Sequence, residues 1–125
     1  LGREIGTVSI ALTDLSADDD LFATLPICFN AHVTHAQSVR VLPCGAKVLG
    51  GNAFEPHHII RFRDNAWGVQ FHPEFSEAIM TAYIHEQALA LSGMGYDCDA
   101  LLKAVTATPE ANQLLTRFVQ RCLKR

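Results

Sequence analysis

Trp67-Gly68-Val69-Gln70-Phe71-His72-Pro73-Glu74-Phe75-Ser76 joins an apolar extended run to the start of a helix. A residue that precedes proline is pushed into the extended region, so His72 is expected to continue the strand. Pro73 fixes its own φ and has no N–H for a ladder, so the strand must end there. Residues two apart in extended backbone point to the same side. His72 and Glu74 are therefore expected to project together from a rigid strand end, beside a helix N-terminus. A carboxylate so placed can orient an imidazole and stabilise its charged form, as triads of nucleophile, His and acid require. A surface ion pair at a strand end has the same spacing, and the residues alone leave both readings open.

Upstream, the sequence has the period of strands. Ile5 to Leu12 alternates, with Val8 and Ile10 on one face and Thr7, Ser9 and Ala11 on the other. Asp18, Asp19 and Asp20 precede Leu21, Phe22 and Leu25, which suits one short helical turn with acid at its N-terminus. Phe29 to His35 and Ser38 to Leu42 read as extended, Pro43-Cys44-Gly45 as a turn, and Lys47 to Leu49 as an apolar run stopped by Gly50-Gly51-Asn52. Two further β runs, His57 to Phe62 and Ala66 to Phe71, flank Arg63-Asp64-Asn65 and predict a hairpin.

Downstream, the period changes. Ile79, Ala82, Tyr83, Leu89 and Ala90 predict a helix from Ser76 to near Gly93 and Gly95. Asp97 is placed to cap a second helix carrying Leu101, Leu102 and Val105. Thr108-Pro109-Glu110 opens a third, with a capping Thr, Pro at the first helical position and acid in the first turn. In it Leu115, Val119, Cys122 and Leu123 form a stripe expected to be buried, and Lys124 and Arg125 suit the negative end of the helix dipole. A β-rich first half followed by three helices fits either a self-standing α+β domain or the back half of an α/β sheet.

Composition narrows the functions. The length of 125 residues allows one domain or part of one. Ten Lys and Arg against thirteen Asp and Glu give a net charge of -3, which excludes a strongly basic chain and a nucleic-acid partner recognised by charge. With 49% hydrophobic and 18% charged residues the chain is not of the disordered type. No run approaches the ~18 apolar residues of a membrane span. Cys28, Cys44, Cys98 and Cys122 show neither CxxC pairs nor a compact disulfide framework, so reduced thiols and a cytoplasmic location are expected. The chain begins at Leu1 without the basic and apolar regions of a signal peptide, and reads as a piece of a longer protein.

Metal and cofactor sites are not expected. The cysteines lack ligand spacing. His57 and His58 invite a metal together with His72, but neighbours on a strand face opposite sides. His85-Glu86 begins like a zinc-protease helix, with Leu89 where the second His would stand.

The string Gly68-Val69-Gln70-Phe71-His72-Pro73-Glu74 resembles the signature that supplies the His and Glu of class I glutamine amidotransferases. Gly2-Arg3-Glu4-Ile5-Gly6 is similar to the strand entry after the nucleophile helix in the GMP synthase-like branch. Thr34-His35-Ala36-Gln37-Ser38-Val39 and Leu42-Pro43-Cys44-Gly45-Ala46 resemble that branch's His-containing loop and its Leu-Pro-x-Gly-Ala turn. Pro56 and the hairpin after it also fit, so the resemblance runs from Gly2 to about Ser76.

The resemblance implies an α/β fold in which residues 1–125 form the C-terminal half of an open, mostly parallel sheet with flanking helices. It implies L-glutamine as substrate, His72 as the base that activates a cysteine thiol, Glu74 as the residue that orients it, and His35 lining the substrate site. Ammonia would pass to a synthase domain or subunit. Two positions depart from the pattern: Gln37 stands where an acid is common, and His58 where Gln is frequent. The family's nucleophile lies in a Gly-x-Cys-x-Gly turn that this chain lacks. Ile27-Cys28-Phe29-Asn30-Ala31-His32 echoes it, but Pro26 and Asn30 replace the glycines that such a strained turn needs. Cys28 is expected to be a small apolar residue near a strand. The nucleophile is expected in an absent N-terminal half, leaving this chain inactive alone. A non-catalytic binding domain of the same fold and a γ-glutamyl peptidase-type hydrolase remain the alternatives, with a metal-binding module, testable by zinc titration, as the most distant reading.

Overall fold

The computed structural model describes residues 3–124. Gly2, the first residue of the expected strand entry, and Arg125, expected at the helix C-terminus, lie outside the described residues. Five strands form one sheet: β1 (Glu4–Leu12), β2 (Cys28–His35), β3 (Lys47–Gly51), β4 (Ile59–Arg63) and β5 (Ala66–Val69). Their order is β2-β1-β3-β4-β5, and every pairing is antiparallel. The mostly parallel sheet expected from the resemblance is therefore not what these residues build. The reason is in the connections: only a 3-10 turn (Asp14–Asp18) lies between strands, and parallel pairing needs a long, usually helical, crossover.

β1 and β2 form the longest ladder, running from Glu4 opposite His35 to Ala11 opposite Cys28. β1 meets β3 only at Ala11 and Leu12. Beyond β5, Phe71 bridges back to Val33 of β2, so the chain returns to the strand at the opposite edge and the sheet curls. The hairpin of β4 and β5 forms as expected around Asp64 and Asn65, though both strands are shorter than the apolar runs. Residues Ser38 to Leu42 form no strand.

Four helices follow: α1 (Glu77–Glu86), α2 (Ala88–Gly93), α3 (Cys98–Lys103) and α4 (Pro109–Leu123). Ser76 caps α1 by accepting from the Ile79 N–H at 3.2 Å, and Asp97 caps α3 through the Ala100 N–H, also at 3.2 Å. The single helix expected from Ser76 to Gly93 is broken at Gln87, whose φ of -101° and ψ of 11° are not helical. Thr108 precedes α4 but its hydroxyl makes no capping bond; Pro109 and Glu110 carry that start.

Ile10, Phe29, Val33, Leu49, Ile59 and Phe71 of the sheet pack with Phe22, Ala111 and Leu114. A second cluster joins Ile5 and Phe75 to Met80, Ile84 and Leu91. The stripe expected to be buried on α4 is not: Leu115, Val119 and Leu123 are 47%, 54% and 80% exposed, and Cys122 is also exposed. Helix α4 buries Ala111 and Leu114 against the sheet and lays Phe118 edge-on to Trp67 of β5, with centroids 6.1 Å apart, while Leu115, Val119 and Leu123 stay largely exposed.

The acidic run acts through Asp20, which pairs with Arg121 at 2.8 Å, and above all through the buried Asp19. Asp19, 2% exposed, accepts from the N–H groups of Leu21 and Phe22, from Arg61 Nη1 and from Trp67 Nε1, tying the turn after β1 to the hairpin. Gly51 permits a close crossing, since a Cβ there would lie 2.4 Å from the Pro56 carbonyl oxygen.

Candidate active site

His72 follows the bridge that closes the sheet. Its N–H donates to the His32 carbonyl of β2 at 2.8 Å, so the strand end is anchored one residue before Pro73 stops it. The chain then turns, with the Phe75 N–H donating to the His72 carbonyl at 3.2 Å, and α1 begins. His72 Nδ1 lies 2.9 Å from Glu74 Oε2. A carboxylate can only accept, so Nδ1 carries a proton, and in the neutral ring the lone pair is on Nε2. Nε2 has no hydrogen-bond partner among the described residues, and the side chains of His72 and Glu74 are 36% and 54% exposed.

Two further contacts fix this pair. The His72 ring stacks on Phe75, with centroids 4.3 Å apart and planes 15° from parallel. Asn112 of α4 donates its side-chain amide to the carbonyls of Pro73 and Phe75, at 2.7 and 3.0 Å, gripping the turn on both sides of Glu74. Burial alone raises the Glu74 carboxyl, but the His72 hydrogen bond, its own backbone N–H and the His72 charge outweigh it, and the net position is below the ordinary 4.5. Sequence spacing predicts the His72–Glu74 pair; nothing local in the sequence points to Asn112.

His35 belongs to a different cluster. Its Nε2 is 2.9 Å from Glu4 Oε1 and its Nδ1 is 2.9 Å from the Gln37 carbonyl. His58, fully buried, brings its Nε2 to the same Glu4 oxygen at 2.9 Å. One ligating atom from each of Glu4, His35 and His58 lies within 4.8 Å of the other two. Asn52 Nδ2 donates to Glu4 Oε2 at 2.7 Å. Burial raises Glu4, yet the hydrogen bonds from His58, His35 and Asn52 leave it below 4.5. His57 and His58 do turn to different environments, His57 Nδ1 meeting the Val39 carbonyl at 2.5 Å. The grouping of His58 with Glu4 and His35 escapes the sequence because their hydrogen-bonded pairs are 31 and 54 residues apart.

The cysteines lie elsewhere. Cys28 opens β2 and is exposed, four residues before the point where His72 docks on that strand, a separation of roughly 13 Å along extended backbone. Cys44 and Cys122 are exposed, and the Cys98 thiol rests on the Ala88 carbonyl at 3.6 Å. All four are free. No helix among the described residues is long and apolar enough to cross a membrane.

A strand that ends in a hydrogen-bonded His-Pro-Glu turn, with imidazole Nε2 open, is an arrangement in which a carboxylate orients a histidine. This chain belongs to the class I glutamine amidotransferase family, whose model, "Glutamine amidotransferase class-I", matches residues 4–90. It is 36% identical over 77 residues to a GMP synthase (glutamine-hydrolyzing) of Thermosipho africanus, covering 57% of this chain and 15% of that protein. The corresponding enzyme of Thermomicrobium roseum is 34% identical over 82 residues, covering 66% and 15%. Among solved structures, a glutamine amidotransferase from Thermotoga maritima superposes with a TM-score of 0.76 at 22% identity, over 99% of this chain and 52% of that one. The chain thus spans about half of that structure and less than a fifth of the curated relatives.

Proposed function

We propose that this chain supplies the histidine and the orienting acid of a glutamine-hydrolysing Cys-His-Glu triad whose thiol lies outside it. The observation that carries this reading is the 2.9 Å bond between His72 Nδ1 and Glu74 Oε2, which leaves Nε2 free to take a proton. A thiol placed against Nε2 would lose its proton to His72, and the imidazolium would hold the resulting thiolate ready near neutral pH. The thiolate attacks the side-chain amide carbon of L-glutamine. His72 then returns the proton to the departing nitrogen, ammonia leaves, and a glutamyl thioester remains. Water, deprotonated by the same Nε2, cleaves the thioester to glutamate and restores the thiol.

In this reading the thiol and the oxyanion-binding loop come from an N-terminal half of the same domain, in keeping with the twofold greater length of the Thermotoga maritima structure. Cys28, roughly 13 Å along β2 from the His72 docking point, is not the nucleophile. The ammonia would be used by a synthase domain or subunit, as the name of the GMP synthase relatives suggests.

The test is ammonia release from L-glutamine by the 125-residue chain, by the chain joined to its upstream segment, and by the joined form carrying His72→Ala. Turnover only in the joined form, lost with His72→Ala, is the expected result. Turnover by the chain alone that disappears with Cys28→Ala would overturn the assignment of the nucleophile. A joined form that binds glutamine without releasing ammonia would make this a binding domain.

A further inference from the structure

Glu4, His35 and His58 converge at the end of the β1–β2 ladder where Glu4 lies opposite His35. From the placement of these three side chains we propose a second site in this chain: a divalent transition-metal site of two imidazole nitrogens and one carboxylate oxygen, independent of the glutamine chemistry.

Hydrogen-bond accounting leads to it. The Gln37 carbonyl can only accept, so His35 Nδ1, 2.9 Å away, bears a proton. Its Nε2 faces Glu4 Oε1, which accepts as well, at 2.9 Å. A neutral imidazole has one N–H and cannot serve both acceptors. Either a second proton or a metal cation must stand between Nε2 and the carboxylate. His58 Nε2 aims at the same oxygen from a fully buried position, and its Nδ1 has no partner among the described residues. One buried oxygen is thus faced by two ring nitrogens, and a single cation would satisfy all three atoms at once.

Geometry and outer contacts agree. Ligands about 2.0–2.1 Å from zinc in a tetrahedral array lie a little over 3 Å from one another. The two nitrogen–oxygen separations of 2.9 Å need only a few tenths of an ångström of opening. His35 already makes the bond from its other nitrogen to a backbone carbonyl that orients metal-bound histidines, and Asn52 holds the second oxygen of Glu4 at 2.7 Å. On binding, His58 would carry its proton on Nδ1 and exchange its Nε2 bond to Glu4 for a bond to the metal. Two nitrogens and one oxygen suit zinc and its neighbours in the first transition row rather than calcium or magnesium.

The experiment is titration of the 125-residue chain with zinc chloride by calorimetry at neutral pH, beside His58→Gln, Asn52→Ala and His72→Ala. Gln at 58 keeps a donor toward Glu4 but offers only a weak ligand. One zinc per wild-type chain is expected, unchanged in His72→Ala. Asn52→Ala should weaken it by roughly 10–100-fold, as loss of an outer contact does, and His58→Gln by more. X-ray absorption of the zinc-loaded wild type should show two imidazoles and no sulfur, a readout that stands even if a variant fails to fold. Absence of stoichiometric binding, equal binding by His58→Gln, or sulfur bound directly to the zinc would each overturn the proposal.

Discussion

Asn112 donates its side-chain amide to the Pro73 carbonyl at 2.7 Å, across 39 residues of sequence. Through this bond and its companion to the Phe75 carbonyl, α4 sets the attitude of the turn that carries Glu74. An error of about 1 Å in a catalytic group can cost 10²-fold in rate. Asn112→Ala in the domain joined to its upstream segment should therefore lower kcat for glutamine hydrolysis about 10-fold or more with little change in KM. Asn112→Asp cannot donate and should behave like Ala. A rise in KM at constant kcat would show that Asn112 serves binding and not the position of the turn.

Glu74→Gln tests the orienting role. Gln can accept the Nδ1 proton through its carbonyl but brings no charge, so the imidazolium loses its partner. Activity of the joined domain should fall on the order of 10⁴-fold, as it does when a triad acid is neutralised. Stability gives an independent readout. The Glu74 carboxyl is held below its ordinary 4.5, so its contribution is present above that value and is lost as the pH falls through the lower, folded-state value. Urea unfolding of wild type and Glu74→Gln should differ by a constant amount above pH ~5. The difference should shrink in more acid solution. A gap that widened on acidification would contradict the His72–Glu74 pairing.

The His-Pro-Glu turn is legible in the sequence because everything that forms it is local. A pre-proline residue, a proline and a two-residue spacing settle where His72 and Glu74 point. Caps at Ser76 and Asp97 are legible for the same reason, each being satisfied three residues on. Periodicity, by contrast, says that α4 has an apolar stripe but not which part is buried, and here only Ala111 and Leu114 of its first turns are. The family resemblance misleads on strand direction, although the short links between strands already favour antiparallel pairing. Glu4, His35 and His58 come together only through the β1–β2 register and the pairing of β4 with β3, relations no spacing in the sequence encodes.

Asp19 holds the first core together by its hydrogen bonds. Removing its carboxylate strands the N–H groups of Leu21 and Phe22, the Trp67 indole and the Arg61 guanidinium in a largely buried setting. Breaking one side of such a pair costs on the order of 3 kcal/mol. Asp19→Ala should lower stability to urea by about that amount, whereas Asp14→Ala, at an exposed acid in the preceding turn, should stay within about 0.5 kcal/mol. Equal effects would mean that the run acts only by its summed charge.

Gly51 and Gly45 are expected to fail for different reasons when changed to Ala, and the contrast locates what holds Asn52 in place. Gly45 has φ of +85° and open space for 4 Å around the position a Cβ would take, so Ala there meets only backbone strain of about 1–2 kcal/mol. Asn, which tolerates that region better, should recover part of the loss. Gly51 has no such strain, but a Cβ would lie 2.4 Å from the Pro56 oxygen and 2.7 Å from its carbon, both backbone atoms. The loop from Asn52 to Glu55 must then shift, and it is closed by the Asn52 N–H to the Glu55 carbonyl at 2.8 Å and by the Glu55 N–H to Asn52 Oδ1 at 2.7 Å. Asn52 is the residue that fixes the second oxygen of Glu4. Gly51→Ala should thus cost about 3 kcal/mol in urea unfolding, the upper end for overpacking, and Gly51→Asn should cost more. Proton exchange at the Glu55 amide would rise in Gly51→Ala and stay unchanged in Gly45→Ala. Equal protection in the two variants would show that the crossing of Gly51 and Pro56 yields without disturbing the loop.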